Sequence, residues 1–191
     1  MFGLHAYRKA FNRRVLVIIA AGATVGIGIG WATAALVDER MVRLIVGAIG
    51  LAFVINRVAR HRVAGDPKPA RVLPGLFWGT IAGFTSFVSH SGGPPYQVYT
   101  LPLRMNRLVF AGTSTITFAY INAVKLVPYY FLGQINLQNL KVAAVLAIPA
   151  TAAVYFGVWL VKVMPEKLYF RLILAALFVL SLKLVWDGLT G

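Results

Sequence analysis

The sequence has no cysteine, and only five of its 191 residues are acidic. The first absence excludes disulfides, thiolate nucleophiles and cysteine-held metals, and it leaves the redox compartment undetermined. The second removes most routes to carboxylate chemistry. Charge of either sign is scarce: 13% of residues are charged, against about a quarter in soluble domains. Hydrophobic residues make up 59% and the mean hydropathy is +0.76. A soluble core cannot absorb that much apolar surface, so the chain reads as an all-α integral membrane protein. The N-terminal stretch does not read as a secretory signal. Met1 to Arg14 is basic, but the apolar run behind it is too long for a signal core and lacks a small-residue cleavage pattern.

What the chain does have is base: 19 Lys and Arg. They fall between and beside apolar runs rather than along one face, which argues against nucleic acid as a partner. The runs themselves predict about six transmembrane helices over 15–37, 41–56, 72–90, 108–130, 142–161 and 168–186. Val15 to Val37 alone gives 23 residues without Lys, Arg, Asp or Glu, enough to cross roughly 30 Å of hydrocarbon at about 1.5 Å per residue. Six crossings put both termini on one side. Bases crowd the N-terminal segment and the proline-bearing loop over 57–71, so both, with the turn over 133–141, are expected in the cytoplasm. The turns at Asp38 and Glu166 are then expected outside.

Shifting the chain by 128 residues lays Trp31 on Trp159, Asp38 on Glu166, Arg43 on Arg171 and Ala48 on Ala176. This predicts a duplicated unit. Residues 1–60 would be the C-terminal hairpin of the first repeat, 57–71 a basic connecting loop, and 72–187 a complete second repeat. The counterpart of 72–130 in the first repeat would precede Met1. A longer precursor, a homo-oligomer or a partner subunit would then supply the missing first half.

One run breaks the pattern. Residues 72–103 carry no Lys, Arg, Asp or Glu and are too long for one crossing yet too short for two. In their middle, Gly92, Gly93, Pro94 and Pro95 must end any helix, since proline lacks a donor and glycine adds backbone freedom. Non-helical backbone at membrane depth survives where protein or a water-filled cavity satisfies it. A helix broken at Gly92–Pro95 is therefore expected to line a cavity and to offer freed amides to an anion.

Neighbouring polar residues complete the candidate substrate site. Ser89, His90 and Ser91 precede the break; Thr113, Ser114, Asn122 and Lys125 sit on the next span. At about 100° per residue, Ser114 and Lys125 project within roughly 20° of each other, with Asn122 on the shoulder. No carboxylate lies inside any span, so the cavity suits a small anionic substrate rather than Na⁺ or a metal cation. Each residue also has a plain packing role: a kink, a snorkelling lysine, helix-to-helix glue or a satisfied buried histidine. Hydrolysis would need a nucleophile with a positioned base, or a metal cluster, and neither pattern is present. The chain is read as a transporter, not an enzyme, and no cofactor is expected. A non-transporting subunit or assembly factor and an anion channel are the alternatives.

The stretch "GTIAGFTSFVSHSGGPPYQVYTLPLRMNRLVFAGTSTITFAYINAVKLVPYYFLGQ" resembles the sulfite exporter TauE/SafE family of membrane transporters. The residues that carry the resemblance are Gly79, Gly83, Gly92, Gly93, Pro94, Pro102, Gly112, Thr113 and Ser114. The resemblance implies a duplicated four-span unit. It also implies movement of sulfur-containing or other small organic anions across the inner membrane of a bacterium. Two departures stand out: Pro95 replaces the usual third glycine, and the first repeat has no glycine-rich break of its own.

Overall fold

The computed structural model describes residues 7, 10–59, 67–133 and 135–190. These form seven α-helices and no strand: α1 (Arg13–Ala32), α2 (Glu39–Ala59), α3 (Val72–Ser89), α4 (Gly93–Thr100), α5 (Arg107–Phe131), α6 (Leu137–Val163) and α7 (Glu166–Thr190). A 3₁₀ turn, Leu101–Leu103, follows α4. Residues 60–66 of the predicted basic loop lie outside the described residues. Of the helices, α1, α2, α3, α6 and α7 are long and apolar enough to cross a membrane. With no strand present and five such helices, the chain is an all-α membrane protein.

Each predicted span coincides with a helix, although α5 is not among the five that are long and apolar enough to cross, and local chemistry sets the helix ends. Asn12 caps α1 by accepting from the Val15 amide at 3.1 Å, and Asn106 caps α5 by accepting from the Val109 amide at 2.9 Å. At the far end of α3, His90 takes a left-handed conformation with φ of 53°, the place a glycine usually fills when a helix stops. The Ser91 amide then bonds back to the Thr85 carbonyl at 3.2 Å.

From that turn the chain reverses. Tyr99 on α4 donates its hydroxyl to the Arg71 carbonyl at 3.0 Å. The Lys68 amide donates to the Pro102 carbonyl at 3.1 Å. Residues 72–103 therefore leave one end of the bundle as α3 and return to the same end as α4 and the 3₁₀ turn. The run is neither one crossing nor two: it is a crossing with a shorter helical return.

That return sets the direction of everything after it. α1 and α3 run parallel, since Gly22 faces Leu76 and Thr80, Gly26 faces Thr80 and Phe84, and Gly30 faces Phe87. α5 starts at the same end and runs along α1. The Asn12 amide donates to the Thr113 hydroxyl at 2.9 Å, the Thr24 and Tyr120 hydroxyls are 2.8 Å apart, and Trp31 stacks on Phe131 at 5.7 Å. α6 comes back, because Arg107 donates to the carbonyls of Lys162 and Met164 near its end. α7 then runs the way α1 does, and antiparallel to α2: Gly47 meets Ser181 and Val185 while Gly188 meets Arg40 and Leu44.

Two expectations are corrected here. The first residue of α1 and the last of α7 lie at opposite ends of the bundle, not the same one. The Glu166 turn lies at the end that holds Arg13 and Arg71, whereas the turn after Phe131 lies with Asp38. The physical reason is the return of α4, which adds a reversal that apolar run lengths do not register. As a consequence, the two hairpins matched by the 128-residue shift, α1–α2 and α6–α7, point in opposite directions.

Candidate functional site

Gly92–Pro95 is packed against α3 rather than open. Pro94 and Pro95 are buried, and a Cβ at Gly92 would press on the Ala82 carbonyl and Ser86. The prolines also strip the turn of donors. Pro94 and Pro95 have no N–H, and the Tyr96 amide already bonds to the Gly92 carbonyl at 3.3 Å. Only Gly92 and Gly93 keep amides to offer. Ser89 and Ser91 are buried and bond to each other, and Ser89 also reaches the Thr85 carbonyl at 3.1 Å. His90 is exposed, its ring 6.4 Å from that of Tyr129.

The cavity lies one turn further on, between α4, α5, α6 and α7, and holds about 390 Å³. Its polar lining comes from Tyr96 and Gln97 on α4, Ser114 and Thr115 on α5, Tyr169 on α7, and Tyr7 from the segment before α1. Phe110, Phe118 and Ile173 supply apolar wall, with Val154, Val158 and Val161 of α6. The Ser114 and Tyr96 hydroxyls are 3.0 Å apart, and Ser114 also bonds to the Phe110 carbonyl at 2.8 Å. The side-chain oxygen of Gln97 is buried without a hydrogen-bond partner. Such an atom costs about 1–3 kcal/mol unless the cavity's contents satisfy it. No lining residue bears a formal charge, so the site offers hydroxyl and amide dipoles only.

The four predicted residues on α5 separate into four places. Ser114 lines the cavity. Thr113, one residue earlier and about 100° round the helix, is buried against the N-cap of α1, where it accepts from Asn12 and donates to the Val109 carbonyl at 2.6 Å. Asn122 is exposed. Lys125 shares the angular position of Ser114 but stands eleven residues, about 16 Å, further along the axis.

Lys125 is buried, and its amine donates to the Ser86 carbonyl at 3.0 Å and the Ser86 hydroxyl at 3.1 Å. Ser86 is one of the last four residues of α3, whose carbonyls have no partner within the helix. Tyr129 reaches the next carbonyl, Phe87, at 3.4 Å. Together they cap the end of α3. Replacing Lys125 by Met removes both bonds, a loss of about 2 kcal/mol. The thermal midpoint in detergent is then expected to fall by roughly 4–8 °C. An unchanged midpoint with transport abolished would instead make Lys125 a substrate ligand.

Thr115, which helical spacing groups with Ser114, also lines the cavity, and the structure adds residues that sequence patterning passed over or weighed lightly: Tyr96, Gln97, Tyr169 and Tyr7. Gln97 carried a weak signal, being an amide beside a helix break. Tyr96 reads from sequence as an ordinary interfacial or packing aromatic, and Tyr7 and Tyr169 belong to no pattern there.

Compared with known families, residues 1–184 match the family described as Sulfite exporter TauE/SafE. No curated protein matches the chain, and no solved structure does.

Proposed function

The chain belongs to the sulfite exporter TauE/SafE family, and from that premise we propose that it moves a small sulfur-containing or organic oxyanion across a bacterial inner membrane. The observation that carries this reading is the uncharged, mostly apolar cavity beside the α4 return, where the Tyr96, Ser114 and Thr115 hydroxyls and the Gln97 amide converge. Hydroxyl and amide groups can hold an oxyanion without binding it too tightly to release. The missing carboxylates keep cations from competing for the space. In this reading Ser114, Thr115 and Tyr96 donate to the anion, and Gln97 meets a protonated or water-bridged oxygen.

Sidedness follows from charge. The end holding Arg13, Arg14, Arg57, Arg71, Arg104 and Arg107 also holds Lys68, Lys162, Lys167 and Arg171, with Glu166 as the one acid among the described residues. The opposite end mixes Arg40, Arg43, Lys141 and Lys183 with Asp38, Glu39 and Asp187. We assign the basic end to the cytoplasm. The α1–α2 and α6–α7 hairpins would be halves of an inverted repeat, and rocking one against the other would alternate access.

Sulfite flux through proteoliposomes tests the site. Ser114→Ala combined with Gln97→Leu is expected to cut flux at least tenfold while the protein stays monodisperse. His90→Ala, at the far end and outside the cavity lining, is expected to keep more than half. Flux that survives the double substitution would remove the cavity from the path. A chain that carries no anion until an unlinked polypeptide is added would favour the subunit reading. Flux that never saturates with sulfite would favour a channel.

A further inference from the structure

We infer that the groove between α2, the 3₁₀ turn and α7 at the basic end is a binding site for an anionic phospholipid, seating its acyl chains on apolar walls and its phosphate among arginines. The groove holds about 1130 Å³, more than the roughly 300–1,000 Å³ of an ordinary small-ligand pocket. Its walls are Val54, Ile55, Met105, Phe170, Leu174 and Phe178. Ile55 is 60% exposed, so the groove opens sideways, where lipid lies, as well as towards the end of the bundle.

The charge is one-sided. Arg57, Arg104, Lys167 and Arg171 line the groove together with one acid, Glu166. None of the four makes an ion pair among the described residues. Unpaired bases also occur elsewhere on the chain, so what distinguishes these four is that they converge on one apolar groove. Four unneutralised cations above an apolar slot match a phosphodiester carried on two acyl chains. Arg104 closes the 3₁₀ turn with φ of 49°, the same left-handed cap that ends α3 at His90.

Native mass spectrometry of the intact chain in detergent, with dioleoylphosphatidylglycerol and dioleoylphosphatidylcholine at equal concentration, tests this. Retention of phosphatidylglycerol is expected to exceed phosphatidylcholine at least tenfold. Arg104→Asn, which tolerates the left-handed backbone, combined with Arg171→Gln is expected to bring the two lipids level. Arg171→Lys and the distant Arg43→Gln are expected to keep the preference, which separates charge at the groove from general loss of fold. Equal retention by the unaltered chain, or an undiminished preference in the double variant, overturns the proposal. Displacement of the lipid by millimolar glycerol phosphate would make the groove a site for a free anion. A polypeptide that must be stripped away before any lipid binds would make it a protein interface. Either outcome also overturns the proposal.

Discussion

Alkaline phosphatase fused to the C-terminal end of α7 is expected to be active in intact bacteria, and a fluorescent protein at the same place to be dark or weak. The same enzyme inserted in the 57–71 loop is expected to be silent. These outcomes run against the plain count of apolar runs, under which the two sites share a side. They rest on the return of α4, fixed by Tyr99 to Arg71 and Lys68 to Pro102. α5 must then start where α3 starts, and each later helix inherits the reversed direction. Charge supports the same arrangement without reference to those bonds. The return gathers Arg104, Arg107, Lys162 and Lys167 at the end that already holds Arg13 and Arg71, and the positive-inside preference acts on short loops of this kind. A silent C-terminal phosphatase beside a bright fluorescent fusion would mean that 72–103 crosses fully. The cavity assigned to α4 and α5 would then not exist as described.

Six of the helices were legible in the sequence because apolar runs bounded by bases state length and position directly. The break was legible too: α3 stops at Ser89 and α4 begins at Gly93, where glycine and proline leave no alternative. Direction was not legible. A run of 32 residues free of Lys, Arg, Asp and Glu does not say whether its second part continues or turns back, because hydropathy carries no sign along the membrane normal. The site was legible in part for a similar reason. A helical projection correctly puts Ser114 and Lys125 on one face, but it collapses the axis and hides about 16 Å between them. Thr113 and Ser114 are adjacent and chemically alike, yet one ties α5 to α1 and the other faces the cavity. Tyr169 enters from a helix more than fifty residues away in sequence, a relation that no local spacing encodes.

Gly26→Leu is expected to abolish accumulation of folded protein, and Gly28→Leu, two residues along the same helix, to leave it unchanged or slightly raised. The difference lies in what each glycine faces. A Cβ at Gly26 would overlap the Thr80 carbonyl and sit 2.7 Å from the Phe84 amide nitrogen, whereas nothing lies within 4 Å of one at Gly28. The neighbours at Gly26 are backbone, so no side chain can rotate aside. α1 and α3 would have to separate along the contact that also includes Gly22 against Thr80 and Gly83 against Ala23. Apolar burial does not drive association within a membrane, since lipid tails are as apolar as leucine. Close packing of small residues does, and it is lost steeply with distance. Overpacking a rigid contact costs about 1–3 kcal/mol, and here it falls on the helix pair that sets the register of the α3 turn and of the cavity behind it. At Gly28 the added side chain meets lipid and gains helix propensity, worth roughly 0.5–1 kcal/mol over glycine. Size-exclusion profiles of the two variants in detergent decide the matter. Equal monodisperse yields would mean that α1 and α3 do not meet at this register, and the parallel pairing from which the other directions were assigned would fail with it.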